Sequence, residues 1–411
     1  MISASASTRT RCCIAGGGPA GMVLGYLLAR AGVPVVVLEK HADFLRDFRG
    51  DTVHPSTLEI MHELGLLDAF LMRPHQKIQE LNAVIGGKEI AVADFSHLPL
   101  HCKFIALMPQ WDFLNFIAEQ AKQFPHFALC METRAVELVE KDGKVTGLRA
   151  ESNDGPQEIS ANLVVAADGR HSDLRRAAGL EVIDRGAPID VLWMRLPRHP
   201  DDPEATGGRF ATGHILVMIN RGDYWQCAFV VPKNGYEAIR SAGLDAFRRE
   251  ILSLAPFAAD RIAELNDWDK IKLLTVTVNR LKQWSKPGFL CIGDAAHAMS
   301  PVGGVGINLA IQDAVAAANL LAQPLRGGAP SPDALASVQR RREWPTKMTQ
   351  SLQIFIQNNI LAHALSDASP KNEVPFALKA VQRLPFLRRI PARVFGMGFR
   401  PEHAAPFLRK S

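Results

Sequence analysis

The feature that most constrains this chain is Gly16-Gly17-Gly18-Pro19-Ala20-Gly21, set between a short apolar run, Cys12 to Ala15, and a helical stretch from Pro19 to Arg30. Gly16, Gly18 and Gly21 form a G-x-G-x-x-G pattern. Only glycine allows the tight turn and the close approach of backbone to a pyrophosphate, and the following helix offers free N–H groups and a positive dipole end to phosphates. Ala31-Gly32 ends the helix. Val35 to Leu38 reads as a second buried strand. Glu39 follows it, about 20 residues after the turn, where an acid accepts hydrogen bonds from a ribose diol. Lys40 beside it joins the candidate set. Strand, glycine turn, helix, strand and acid make a parallel βαβ unit of the dinucleotide-binding kind.

Two later turns extend the pattern. Asn162 to Ala166 reads as a buried strand ending in Asp168-Gly169-Arg170-His171-Ser172; taken alone, this is a strand end with Ser172 as a helix N-cap. Leu290 to Ile292 reads as another buried strand, leading into Gly293-Asp294-Ala295-Ala296-His297 and then Ser300-Pro301-Val302-Gly303-Gly304-Val305-Gly306. An Asp leaving a buried strand can accept bonds from sugar hydroxyls. The glycines let backbone lie flat against a planar ring, and a helix starting near 305 turns a positive end toward negative charge.

The rest of the chain is read more coarsely. Its 411 residues suffice for two or three domains. With 47% hydrophobic and 22% charged residues it has globular proportions. A net charge of +5 without a block of like charges gives no basic face for nucleic acid, and suits an anionic cofactor or substrate equally well. The six cysteines contain no C-x-x-C pair, so zinc and thioredoxin spacings are absent, no metal site is expected, and a reducing compartment fits. The start has no signal-peptide core, and no apolar run reaches transmembrane length, which together read as a cytoplasmic protein without a transmembrane anchor.

Residues 1–9 read as a loose tail, 54–64 and about 111–123 as helices, and Gly86-Gly87 and Asp142-Gly143 as turns between strands. From 181 the character changes to short strands, including Ile215 to Ile219 and Tyr224 to Val231. A helical insert covers about 244–265, and 273–278 is strand-like. A long helix over about 305–322 precedes a helical C-terminal part broken by prolines 370, 375, 385 and 391. Leu384 to Arg400 mixes apolar residues with arginines. It reads as a packed appendix, with a basic amphipathic helix in peripheral membrane contact as the alternative.

Together the three turns resemble those of the FAD-dependent aromatic hydroxylases, the p-hydroxybenzoate hydroxylase-like flavoprotein monooxygenases, over about residues 10–325. The resemblance implies an α/β fold. A Rossmann-like FAD-binding domain, discontinuous over 10–74, 104–180 and 286–325, is interleaved with a β-rich substrate domain over 75–103 and 181–285, and a C-terminal helical region covers 326–411. It implies that Gly16, Gly18, Pro19, Ala20, Gly21 and Glu39 hold the ADP part of FAD, that Asp168 and Gly169 serve FAD and the nicotinamide donor, and that Gly293 and Asp294 hold the ribityl chain. Pro301, Gly303, Gly304, Val305, Gly306 and Ile307 would line the isoalloxazine. Gln110 falls where the family places an Arg or Gln that reaches FAD, and Arg49, rather than Arg46, is favoured in a loop like the one that touches the cofactor. The family loop often reads Ala-Gly-Gln-Gly; here it is Gly-Gly-Val-Gly, so Val305 replaces a polar side chain and backbone donors must serve.

The chemistry that the resemblance implies is reduction of FAD by NADH or NADPH, addition of O2 to give a flavin hydroperoxide, and oxygen transfer to an electron-rich carbon of an aromatic or polycyclic, partly apolar substrate. No second G-x-G-x-x-G is present for the nicotinamide donor, as in that family, so the choice between NADH and NADPH stays open. Arg170, Arg175 and Arg176 are candidates for its phosphates, or simply solvated. Pro301, Tyr224 and His214 are the catalytic candidates: Pro301 borders the ring, and the other two lie in the substrate domain. Tyr224 shares a strand face with Gln226, and Trp225 takes the other face. Tyr26 reads as core, His297 as a local loop bond and His54 as a cap neighbour. Alternatives are a flavin-dependent halogenase, an isoprenoid-chain reductase, or a flavin-binding module without turnover. Trp193-Met194-Arg195-Leu196-Pro197 resembles the halogenase Trp-x-Trp-x-Ile-Pro only in part, since Arg195 replaces the second Trp. A homodimer is an expectation from the resemblance alone.

Overall fold

The computed structural model describes residues 8–45, 52–85, 88–204, 206–211, 213–365 and 382–409. The Gly86-Gly87 turn, Pro370 and Pro375 lie outside them.

The apolar runs become neighbouring parallel strands. Thr8–Ala15 pairs with Val35–Leu38 on one side and Gly155–Ala166 on the other. Val35–Leu38 continues to Phe127–Cys130, and Gly155–Ala166 to Phe289–Cys291. Cys12 to Ala15 and Val35 to Leu38 are buried throughout, as strands covered on both faces must be. Their cover includes the adjoining helices Pro19–Arg30, Gln110–Ala121 and Gly306–Gly327. The first of these is buried over Ala20 to Ala29. The hairpin Arg134–Lys141/Lys144–Ser152 turns at Asp142 and Gly143, both at positive φ (51° and 72°), the geometry that Asp-Gly favours.

Some expected boundaries shift. Thr8 and Arg9, read as tail, pair with Ile159 and Ser160, because the partner strand outlasts the apolar run. The strand expected over 273–278 contracts to Lys272–Leu274; beyond it, Val276 N donates to the Asp190 carboxylate at 2.9 Å instead of to a neighbouring strand. The helical insert begins earlier, as Tyr236–Ala242 and Leu244–Leu254 around Gly243 at φ 90°. After Pro256 it holds only single 3-10 turns.

A second sheet draws on two separated stretches. Its order is Lys272–Leu274, Ile189–Pro197, Tyr224–Pro232, His214–Asn220, Gly207–Ala211, Glu80–Ile85 and Lys88–Asp94. Side chains alternate across it. Leu192, Met194, Leu216, Met218, Trp225, Cys227 and Phe229 pack on one face with Phe247, Ile251 and Leu254 of the helix Leu244–Leu254. On the other face Ile189, Ile215 and Val230 pack with Val302 of the glycine-rich loop and with Leu361.

The long helix Gly306–Gly327 belongs to an apolar segment, Val302–Gly327, that has the length and composition to cross a membrane, but 78% of its most apolar stretch is buried inside the fold. The C-terminal helix Arg389–Met397 is docked through buried Ala392 and Gly396; a Cβ on Gly396 would lie 2.7 Å from Leu98 Cδ1. Pro391 sits in its first turn, where a missing N–H costs nothing.

A buried charge cluster fastens these parts. Asp313, on the long helix, accepts from Gly293 N at 3.1 Å and from Arg342 Nε at 3.0 Å, and lies 2.6 Å from His297 Nε2. Arg342 also donates to Arg400 O at 3.2 Å and faces Glu402 at 3.5 Å, and Arg341 forks onto Glu402. Burial pushes the Asp313 carboxyl up, but His297 and Arg342 more than offset this and hold it below the usual carboxylate range. Arg342 and Asp313 are 1% and 0% exposed. Removing one partner from a buried pair costs about 3–5 kcal/mol, so Arg342→Met is expected to lower the unfolding free energy by that amount, read as a lower urea midpoint at unchanged slope. An unchanged midpoint would show that the cluster contributes nothing net.

Candidate functional site

Four parallel strands end in register. Ala15 lies opposite Ala166 and Leu38, and Ala166 opposite Cys291. Just beyond these ends stand Gly16, Asp168, Glu39 and Gly293-Asp294, so motifs far apart in the chain meet along one sheet edge. Ligands of such sheets bind outside the carboxyl ends of the strands.

The glycines are required by contact. Gly16 (φ 109°) has its Cβ position 2.3 Å from Ala167 O, and a Cβ on Gly21 would fall 2.0 Å from Gly16 O. A Cβ on Gly18 would meet nothing, which leaves open space above the turn, and no side chain caps the helix Pro19–Arg30. Its first N–H groups therefore face that space. Glu39, buried at the end of its strand, accepts from Gly17 N at 3.0 Å through one carboxylate oxygen and from His41 N at 3.1 Å through the other. Lys40 is exposed. Gly293 (φ 58°) sits against this helix: its Cβ position is 3.1 Å from Ala20 Cβ. First and third motifs thus touch.

Asp168 has one oxygen 3.4 Å from Leu174 N and the other, Oδ1, buried without a partner among the described residues. Burial raises its pKa against the bonds from the Ser172 side. Ser172 is the N-cap that the sequence suggested, accepting from Arg175 N at 3.0 Å. Arg175 is buried, donating to Ala295 O at 3.2 Å and Arg170 O at 2.9 Å, and so ties the Asp-Gly turn to the Gly-Asp turn; Arg176 is exposed. Asp294 is half-buried, and among the described residues its carboxylate meets no hydrogen-bond or ion-pair partner. These features suit FAD: cradles that a Cβ would fill, a sugar-side carboxylate at the edge of the sheet, and a buried acceptor left over.

The loop Pro301 to Ile307 holds Gly303 and Gly304 at φ 77° and 62°, with Gly306 open to space. Val305 is buried. A row of glutamines on the helix Pro332–Ile356 and the turn after it pins the approach to this loop. Gln350 donates to Ala298 O at 3.0 Å, Gln353 to Ser300 O and Val302 O at 2.9 Å, and Gln357 to Ser300 Oγ at 2.9 Å. Gln110 is half-buried at the start of its helix. Arg46 and Arg49 lie outside the described residues.

The catalytic candidates separate. Tyr224 is on the sheet face that meets Val302, half-buried, with the Arg195 guanidinium 4.8 Å from its ring centroid. Gln226 shares that face, while Trp225 faces the other way, fully buried, its Nε1 donating to Asp202 at 2.8 Å. His214 lies on the opposite face of the sheet from Tyr224. Strand alternation places it with Leu216 on the helix-covered face, 3.7 Å from Glu250 and 5.9 Å from the Phe229 ring. Tyr26 is core, its hydroxyl accepting from Arg30 at 2.9 Å. Sequence reasoning missed Asp313, Asn308, Arg342 and the glutamine row. The available signal was a set of polar residues, Asn308, Gln312 and Asp313, inside an otherwise apolar helix.

His54 is fully buried, its Nδ1 2.6 Å from Phe395 O. Burial lowers its pKa from 6.5 to about 4, against the carbonyls of Phe395 and Gly304. The unfolded chain therefore binds a proton that the folded one refuses between pH 6.5 and 4, and stability falls as pH falls through that window. Replacing His54 by Asn is expected to flatten this slope in urea titrations; an unchanged slope would assign it to another group. For Asp294→Ala, loss of hydrogen bonds to a charged acceptor, about 1.5–3 kcal/mol, is expected to weaken FAD roughly 10–100-fold by flavin fluorescence. Retained affinity would remove Asp294 from the site.

Residues 9–351 match the FAD binding domain family. The 6-methylpretetramide 4-monooxygenase of Streptomyces rimosus is 30% identical over 391 residues, covering 94% of this chain and 92% of the relative. A rifampicin monooxygenase of Streptomyces venezuelae is 27% identical, over 77% of this chain and 65% of its own length. In fold, the chain is similar to p-nitrophenol 4-monooxygenase of Pseudomonas putida (TM-score 0.77, 20% identity, 96% of this chain and 100% of that one). It is also similar to a flavin-dependent brominase (TM-score 0.75, 17% identity, 95% and 94%). With the p-hydroxybenzoate hydroxylase fold in place and the three turns brought to one sheet edge, the chain belongs to the FAD-dependent monooxygenases that carry this FAD binding domain.

Proposed function

We propose that this protein hydroxylates a planar aromatic or polycyclic, partly apolar small molecule, with NADH or NADPH as electron donor and O2 as co-substrate. The observation that carries the reading is that three FAD turns meet at one sheet edge while the loop after them, through Val302, faces a largely apolar sheet wall. When bound, FAD supplies hydride acceptance and oxygen activation.

The chain's residues bind and shield. Gly16, Gly18 and Gly21, with the N-terminus of the helix Pro19–Arg30, receive the pyrophosphate, and Glu39 is placed for the ribose diol. Asp294 receives the ribityl hydroxyls, and the backbone of 301–307 borders the ring. We assign the substrate side to the segments 75–103 and 181–285. There Ile215, Val230 and Val302 exclude water, and Tyr224 beneath Arg195 orients the aromatic ligand. Arg195 in place of a second tryptophan supports hydroxylation over halogenation. Six cysteines without a disulfide support a cytoplasmic location.

Two measurements test this. NAD(P)H oxidation by the FAD-loaded protein, run against a panel of phenolic polycycles, is expected to accelerate with a compound that becomes one oxygen atom heavier. Oxidation that yields only hydrogen peroxide across the panel, or a halogenated product, would overturn it. Because Tyr224 orients rather than transfers a proton, Tyr224→Phe is expected to cost less than about 100-fold in hydroxylation, the lower bound for losing a general acid or base; a larger loss with flavin reduction intact would make it a proton-transferring group.

A further inference from the structure

We propose that the C-terminal helix Arg389–Met397 is a wall of the ring pocket, and that Phe395 is a positioning residue for the loop 301–306. A Cβ on Gly303 would fall 2.4 Å from Phe395 Cε1 and 2.7 Å from Cδ1. The aromatic ring therefore lies directly on the Gly303 backbone, and any side chain at 303 would displace it. This contact joins residues almost a hundred positions apart, and Phe395 lies outside the stretch that the resemblance covers.

The Phe395 backbone is held as firmly as its ring. Its carbonyl can only accept, so His54 carries its proton on Nδ1 and donates it there at 2.6 Å. His54 N donates to Asn308 Oδ1 at 2.9 Å, and Thr57 Oγ1 donates to the same oxygen at 2.7 Å. Asn308 Nδ2 donates to Thr52 O at 3.2 Å, and Thr52 Oγ1 to Gly304 O at 2.8 Å. One hydrogen-bonded circuit thus runs from the C-terminal helix through 52–57 to the loop itself. Below it, a cavity of about 40 Å³ is bordered by Val305, Asn308, Gln353, Phe395 and Met397.

The helix is also fixed from outside. Gly396 lies against Leu98 and Phe95. Beyond the helix, Glu402 is bound by Arg341, its N–H donates to Gln312, and Ala404 N donates to Glu63 at 2.7 Å. A rigidly anchored aromatic ring behind a loop with two positive-φ glycines restricts that loop and keeps water from its far side.

This inference rests on placing the isoalloxazine against 301–306, and not on the substrate. The FAD-loaded full chain is compared with Phe395→Ala and Phe395→Leu by iodide quenching of flavin fluorescence, by the vibronic structure of the flavin absorption band, and by FAD affinity. The expected result is quenching that rises several-fold in Phe395→Ala and returns toward wild type in Phe395→Leu, with FAD affinity changed by less than about tenfold. A shielded wild-type flavin with quenching unchanged in both variants overturns the inference. If Phe395→Ala does not fold, Phe395→Val takes its place: quenching raised above that of Phe395→Leu is expected, and quenching equal to wild type overturns the inference. A wild-type flavin as open to iodide as free FAD overturns it together with the placement of the ring.

Discussion

The Asp313 carboxylate holds three parts of the chain at one point. It takes the Gly293 N–H from the cofactor turn, His297 from the following segment, and Arg342 from the next helix. A buried carboxylate is tolerable only when so surrounded, and the surrounding groups gain fixed positions in return. Through Arg342 and Glu402 the same cluster reaches residues 400–404, so the end of the chain is secured to the turn that carries Asp294. The cofactor edge is thereby built on rigid elements rather than on free loops, as a site needs if its geometry is to hold.

That edge explains how dispersed residues form a site. Parallel strands of one sheet end together, so every βα turn at that end is a neighbour of the next. Gly16 against Ala167 is a contact that no side chain larger than hydrogen would allow, and Gly293, at φ 58°, packs tightly against Ala20. The second sheet adds what the first lacks. Its alternation sends Trp225 and Phe229 to a private core with the helix Leu244–Leu254, and leaves Tyr224 and Val230 on the opposite face, where Val230 packs with Val302 of the loop.

Much of this was legible in the sequence, for identifiable reasons. Buried parallel strands read as unbroken apolar runs, and turns with obligatory glycines stand out, so Cys12 to Ala15, Val35 to Leu38, Asp142-Gly143 and Gly293 were readable from composition and spacing. His214 was not, because strand parity decides its face and only the pairing of Ile215 with Val230 reveals that parity. Phe395 and the glutamine row were hidden more deeply. Gln350, Gln353 and Gln357 satisfy carbonyls of a distant segment, and an isolated helix pattern carries no trace of such partners. Thr8 and Arg9 entered a strand because a longer neighbour offered hydrogen bonds that their own side chains do not advertise.

The claim on which everything functional turns is that dioxygen, activated within this site, supplies the atom inserted into an aromatic substrate. The most direct measurement supplies isotopically heavy dioxygen in ordinary water to the FAD-loaded protein with NADH or NADPH and an accepted substrate, and weighs the product. The expected result is a product carrying the heavy oxygen. A product with ordinary oxygen, drawn from water, would contradict the account.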